Sequence, residues 1–144
     1  MHVYTRMAAP SPCACIRARR ASRALTAVYD AALRPARLKI TQFSELRNVH
    51  RLQPVSISAL AKEMALDRST LGRNLLVLKR RGLVALGEGD DLRQRSVELT
   101  AKGAATLEKA LPCWERAQQK VERKLGAAGA ATLFELLGQV EALR

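Results

Sequence analysis

The chain has 144 residues, of which 48% are hydrophobic and only 3% aromatic, so it is long enough for one packed domain and too apolar to be a disordered segment. Its 25 Lys and Arg against 13 Asp and Glu give a formal net charge of +12, an excess that favours polyanionic partners through counterion release. Nucleic acid leads among those partners, although charge alone leaves RNA and membrane surfaces open. No apolar run approaches the ~18 residues of a transmembrane helix. The opening MHVYTRMAAPSPCACIRARR lacks the apolar core of a secretory signal, so a cytoplasmic protein is expected. Three cysteines, Cys13, Cys15 and Cys113, are an odd number for a disulfide framework. Cys13 and Cys15 are too closely spaced for a structural zinc pair and only His2 and His50 are available to help, so no metal or cofactor is expected.

In chain order, residues 1–12 carry Pro10 and Pro12 without periodicity and read as a flexible arm preceding a single domain over 13–144. An Ala- and Arg-rich helix is predicted over about 14–33, with Ile16, Leu25, Val28 and Leu33 as its apolar stripe and Pro35 as its stop. Thr41 is placed to cap a helix ITQFSELRNVHRL, which ends before Pro54. Ser56 or Ser58 caps the next helix, in which Leu60, Ala61 and Met64 face inward, and Ala65-Leu66 form a turn. Asp67 then caps a helix whose Leu71, Leu75 and Leu78 recur at i, i+4, i+7. Gly82 ends it as the residue after the C-cap, behind Lys79-Arg80-Arg81. Leu83–Gly87 and Arg95–Leu99 are strand candidates around the turn-rich tip Gly87–Asp91. Thr100 caps long helical sequence over about 101–143, with Pro112 expected to kink it and Gly126 and Gly129 to interrupt it. Its Leu107, Leu111, Trp114, Val121 and Leu125 lie close to heptad spacing. The last stretch, with Leu133, Phe134, Leu136, Leu137, Val140 and Leu143, is too apolar for a lone surface helix and calls for a partner.

The order is thus mostly helical with a small β-hairpin: a helix-turn-helix followed by a wing, over about 41–100, between helices suited to dimerisation. LAKEMALDRSTLGRNLLVLKRRGLV and DDLRQRSVELTAKG resemble the MarR family of winged-helix regulators, and the resemblance runs from about residue 15 to the C-terminus. Two motifs carry it: Asp67-Arg68-Ser69-Thr70 closing with Arg81-Gly82-Leu83-Val84, and Asp91-x-Arg93-x-Arg95 leading to Leu99-Thr100 and Gly103. The resemblance implies an intertwined homodimer on a palindromic operator in double-stranded DNA, usually acting as a repressor. It puts Arg68, Ser69, Thr70, Arg73 and Asn74 on the DNA-facing part of the recognition helix and Arg93, with Arg95 beside it, on the wing. Asp91 falls on the acidic residue that orients the wing arginine. Many members have Gly where this chain has Ala65, which alanine replaces without cost if the backbone there is not left-handed. The chemistry agrees: Arg and Asn make bidentate bonds to base edges, Ser and Thr reach phosphates, and Arg suits a narrow minor groove.

Two switches are compatible with these residues. One is a small aromatic effector in a cleft lined by Tyr29, Phe43, Arg47, His50 and Trp114, residues that ordinary core packing or solvation also accounts for. The other is oxidation of Cys15, near a helix start and close to Arg17, Arg19 and Arg20, with Cys113 as resolving thiol. Cys15 lies 14 residues before Tyr29, a spacing similar to that of the reactive cysteine in the OhrR branch of the family. Ala18 and Arg19 stand where that branch has tyrosines. Outside this class, the chain is compatible with a non-specific architectural DNA binder or a helical protein adaptor. No phosphate-binding Gly-rich loop, acid pair or metal-ligand cluster supports an enzyme.

Overall fold

The computed structural model describes residues 10–91 and 94–144. Helix α1 spans Ala14–Leu33, and Pro35 turns it into one 3-10 turn, Arg34–Ala36. Helix α2, Ile40–Leu52, begins at Lys39 rather than at the expected Thr41. Its exposed N–H groups find other acceptors: Gln42 Oε1 takes Lys39 N–H (3.0 Å), and Asp30 of α1 takes Ile40 N–H (2.8 Å). The second bond also fixes the corner between α1 and α2.

Helix α3, Ile57–Glu63, is capped by Ser56, whose Oγ accepts from Ala59 N–H at 3.1 Å. Helix α4, Arg68–Arg80, follows after a tight turn and ends as expected: Gly82 takes φ +74°, and Leu83 N–H returns to Leu78 O at 2.9 Å. Strands β2 (Val84–Leu86) and β3 (Ser96–Leu99) form the wing. A third strand unforeseen in the sequence, β1 (Val55–Ser56), pairs antiparallel on the other side of β3, giving the order β1-β3-β2. The registers are Val55 opposite Val97 and Val84 opposite Leu99.

Helix α5 runs over Ala101–Glu141. Pro112 stays inside it, and the break falls at Gly126, whose φ of 73° and ψ of 163° divide it into two limbs. The buried core joins Leu33, Leu46 and Val49 to Leu60, Leu71, Leu75 and Leu78, with Val97 beneath the wing. Not all of the expected heptad positions are inside. The first limb of α5 buries Ala110, Cys113 and Ala117, while Leu111 and Leu125 are exposed. Phe134, Leu136, Val140 and Leu143 of the second limb are also exposed, as is Ile16 of α1.

Gly103 is where the two halves meet. A Cβ there would lie 1.9 Å from the Leu83 carbonyl oxygen, an impossible approach to backbone. Around it, Leu83 O accepts from Thr100 N–H (3.2 Å), Gly82 O from Thr100 Oγ1 (2.5 Å) and Arg81 O from Lys102 Nζ (2.9 Å). Thr100 Oγ1 in turn accepts from Gly103 N–H at 2.9 Å, so one side chain caps α5 and ties it to the end of α4. Gly103→Ala is therefore expected to force the two helices apart and lower the unfolding free energy by about 3 kcal/mol, read as a lower urea midpoint. An unchanged midpoint would refute the close approach.

Candidate nucleic-acid interface

The turn between α3 and α4 is sharper than expected. Ala65 has φ +53°, so the backbone is left-handed at a residue with a Cβ. The condition under which alanine would be cost-free does not hold, and the conformation costs about 1 kcal/mol relative to glycine. Bonds from Ala65 N–H to Lys62 O (3.2 Å) and from Leu66 N–H to Ala61 O (2.9 Å) hold the turn.

Asp67 caps α4. Its Oδ1 accepts from the backbone N–H groups of Ser69 (2.9 Å) and Thr70 (3.2 Å), and from the Ser69 hydroxyl (2.5 Å). Its Oδ2 accepts from the Thr70 hydroxyl. These bonds, led by the two hydroxyls, hold the Asp67 carboxyl well below the usual carboxylate range. Both hydroxyl protons are thus turned inward, leaving Ser69 and Thr70 only lone pairs to offer outward. Leu71, Leu75 and Leu78 are fully buried and seat the helix. Ser69, Arg73, Leu76 and Arg80 recur at i, i+4, i+7 and i+11 on the opposite face, and Arg68 is exposed at the leading end. Leu76 and Val77 are exposed apolar residues that the sequence reading passed over; their positions off the leucine stripe were the available signal.

Asn74 is not on that outer face. It is half-buried, and its Nδ2 donates to Glu45 Oε1 of α2 at 2.7 Å. Glu45 is 1% exposed, and among the described residues its Oε2 has no hydrogen-bond partner. Burial pushes the Glu45 carboxyl up from its ordinary value, and the Asn74 bond offsets part of that shift. The pair pins the middle of α4 to α2.

At the wing, Arg95 is half-buried and its Nε donates to Gly89 O at 2.7 Å, so it braces the tip. Asp91 O accepts from Gln94 N–H at 3.1 Å. Arg93 lies outside the described residues, as does most of the expected N-terminal arm.

Of the five residues expected at an effector cleft, Phe43, Arg47 and His50 line one cavity of about 410 Å³ with Leu107, Glu108 and Leu111 of α5. Trp114 is not part of that lining but stacks on Phe43, with ring centroids 5.9 Å apart. Tyr29 instead donates its hydroxyl to Gln118. Cys15 and Cys13 are exposed, whereas Cys113 is buried, with Arg116 Nη2 3.3 Å from its sulfur. Among the described residues no cluster of His, Cys, Asp or Glu is suited to a metal, and no helix is long and apolar enough to cross a membrane.

No protein-family model matches the chain. It is 32% identical over 120 residues to the HTH-type transcriptional repressor NicR of Pseudomonas putida, covering 83% of this chain and 74% of that protein. Among solved structures, the Mycobacterium tuberculosis transcriptional regulator MosR in complex with DNA is 42% identical, with a TM-score of 0.77 over 92% of this chain and 98% of that one. BpsR of Bordetella bronchiseptica, whose DNA binding is regulated by 6-hydroxynicotinic acid, is 25% identical, with a TM-score of 0.82 over 93% of this chain and 96% of that one.

The Glu45 arrangement makes a prediction about pH. The folded state holds the Glu45 proton more tightly than the unfolded chain does. The stability this contributes is full below the ordinary carboxylate range and is lost as pH rises through the raised folded value. Glu45→Gln keeps an acceptor for Asn74 and removes the titration. Urea midpoints measured from about pH 4 to pH 8 should fall less steeply with pH in the variant than in the wild type. Parallel profiles would show that Glu45 titrates like a solvated carboxylate.

Proposed function

The chain belongs to the MarR family of winged helix-turn-helix transcriptional regulators, and from that premise we propose a homodimeric repressor that binds a palindromic operator and is released by a small aromatic effector. The observation that carries the DNA reading is α4 itself: one face fully buried, the opposite face presenting Arg73, Leu76 and Arg80 under a rigid Asp67 cap. Arg73 reads a base edge in the major groove, and Leu76 meets a thymine methyl. Arg68 and Arg80 contact phosphates, and Arg93 enters the minor groove from a wing braced by Arg95 and oriented by Asp91. Ser69 and Thr70 act mainly through Asp67, and Asn74 through Glu45, as residues that hold the reading helix in place.

Dimerisation accounts for the apolar surface of α1 and of the second limb of α5, which a monomer would leave in water. The domain is the single unit 13–144, with the helices of both ends forming the dimer and 41–100 the DNA-binding lobe. The effector reading rests on the Phe43–Arg47–His50 cleft, which lies between the DNA-binding lobe and α5 and offers an aromatic wall with three polar side chains, Arg47, His50 and Glu108. Oxidation of Cys15 has an exposed thiol in its favour, but its expected partner Cys113 sits in the core.

Arg73→Ala should lose about 1–3 kcal/mol of affinity for the operator and little for unrelated duplex, narrowing the difference between them in a fluorescence-anisotropy titration. Equal losses on both sequences would point to a non-specific architectural protein. For the switch, 6-hydroxynicotinic acid at millimolar concentration should weaken operator binding in the wild type and not in Arg47→Ala. If that probe and related aromatic acids leave binding unchanged while peroxide releases the DNA in a Cys15-dependent way, the oxidation reading replaces the effector reading.

A further inference from the structure

A second cavity lies on another side of the molecule, where the α1–α2 corner, the end of α4 and the start of α5 converge. It measures about 510 Å³, and its walls carry Arg37, Arg81, Lys102 and Lys109 but no carboxylate. Among the described residues none of these four forms an ion pair, although two such pairs occur elsewhere in the fold. Four cations gathered around one concavity repel each other and raise the local potential, a cost that a bound anion would cancel.

Two of the cations are also held in place by hydrogen bonds, and a third starts from a fixed backbone point. The Arg81 guanidinium donates to Arg37 O (2.7 Å) and Gln42 Oε1 (3.3 Å), which fixes its plane and leaves three of its five N–H groups to offer. Lys102 Nζ is anchored on Arg81 O at 2.9 Å and keeps two. Arg37 is the left-handed residue that closes the 3-10 turn, with φ 57°, so its side chain leaves from a fixed backbone point. A planar, pre-oriented guanidinium flanked by ammonium groups is a combination that suits the several oxygens of a phosphate better than the single edge of a carboxylate.

We propose that this basic cleft is a phosphate-binding site that grips the end of α4, the start of α5 and the α1–α2 corner together. The source of the phosphate is a small phosphorylated molecule rather than the DNA backbone. Arg81 follows Arg80 by about 100° around α4, off the Arg73–Leu76–Arg80 face, and its guanidinium is bonded back to the α1–α2 corner at Arg37 O. The site is distinct from the Phe43–Arg47–His50 cleft, shares none of its lining residues, and does not depend on how that cleft is used.

The test is a calorimetric titration of inorganic pyrophosphate into the full chain at low salt. Saturable binding at one site per chain is expected in the wild type, weakened five-fold or more in Lys109→Gln and in Arg37→Asn, the latter a change that tolerates the left-handed backbone. Lys124→Gln, an exposed cation on α5 outside the cleft, should bind as the wild type does. Absence of saturable binding, or equal weakening in Lys124→Gln and the cleft variants, would overturn the proposal. The salt dependence of duplex-DNA affinity distinguishes the sources. A log–log slope unchanged by Lys109→Gln identifies a small phosphorylated molecule. A slope shallower by about one unit would assign the phosphate to DNA and overturn the small-molecule source.

Discussion

The fold depends on one close approach. The Leu83 carbonyl occupies the space beside Gly103 that any Cβ would need, and that approach lets α5 start directly against the end of α4. Three consecutive carbonyls, those of Arg81, Gly82 and Leu83, are then satisfied by Lys102 and Thr100. Carbonyls at and just past a helix end need partners from caps, water or another element. Here they become a joint between the helix expected to enter DNA and the helix expected to dimerise. A winged helix held this way has little freedom to tilt on its own, so the spacing between two reading helices in a dimer is set largely by how two copies of α5 and α1 pack.

From that joint the remaining constraints follow outward. Asp67 fixes the leading end of α4, Glu45 and Asn74 fix its middle, and the leucine stripe fixes its inner face. The outer face is left with few residues, chiefly Arg73, Leu76 and Arg80, and on the proposed reading recognition is concentrated in them. The cleft at Phe43 borders both α2, which carries Glu45, and α5, which carries the joint. On the proposed effector reading, a molecule wedged there presses on the helices that carry two of these four supports, Glu45 and the joint, away from the outer face of α4.

Much of this was legible in the sequence. Asp67, Gly82 and Thr100 announced three helix ends because capping is local chemistry, and the i, i+4, i+7 leucines announced a buried face because helix period is local geometry. What was not legible depended on distant partners. Thr41 looked like a cap until Asp30 supplied the bond from another helix. Strand β1 is only two residues long and exists because β3 is beside it. Nothing near Glu45 in the chain marks it as buried, yet it lies against Asn74, a residue that the resemblance puts on the DNA-facing part of the recognition helix. Ala65 itself gave no sign of its left-handed backbone; the glycine that many members of the family have at that position was the available signal. The break in α5 at Gly126 rather than Pro112 reflects the glycine's access to positive φ.

The central claim is that two copies of α4, held at fixed separation, read an inverted repeat. Selection of bound sequences from a randomised duplex library tests it most directly. The account predicts enrichment of one palindrome whose half-sites lie about one helical turn apart, roughly 10 base pairs centre to centre. Enrichment of an unpaired half-site, or of no sequence at all, would contradict it.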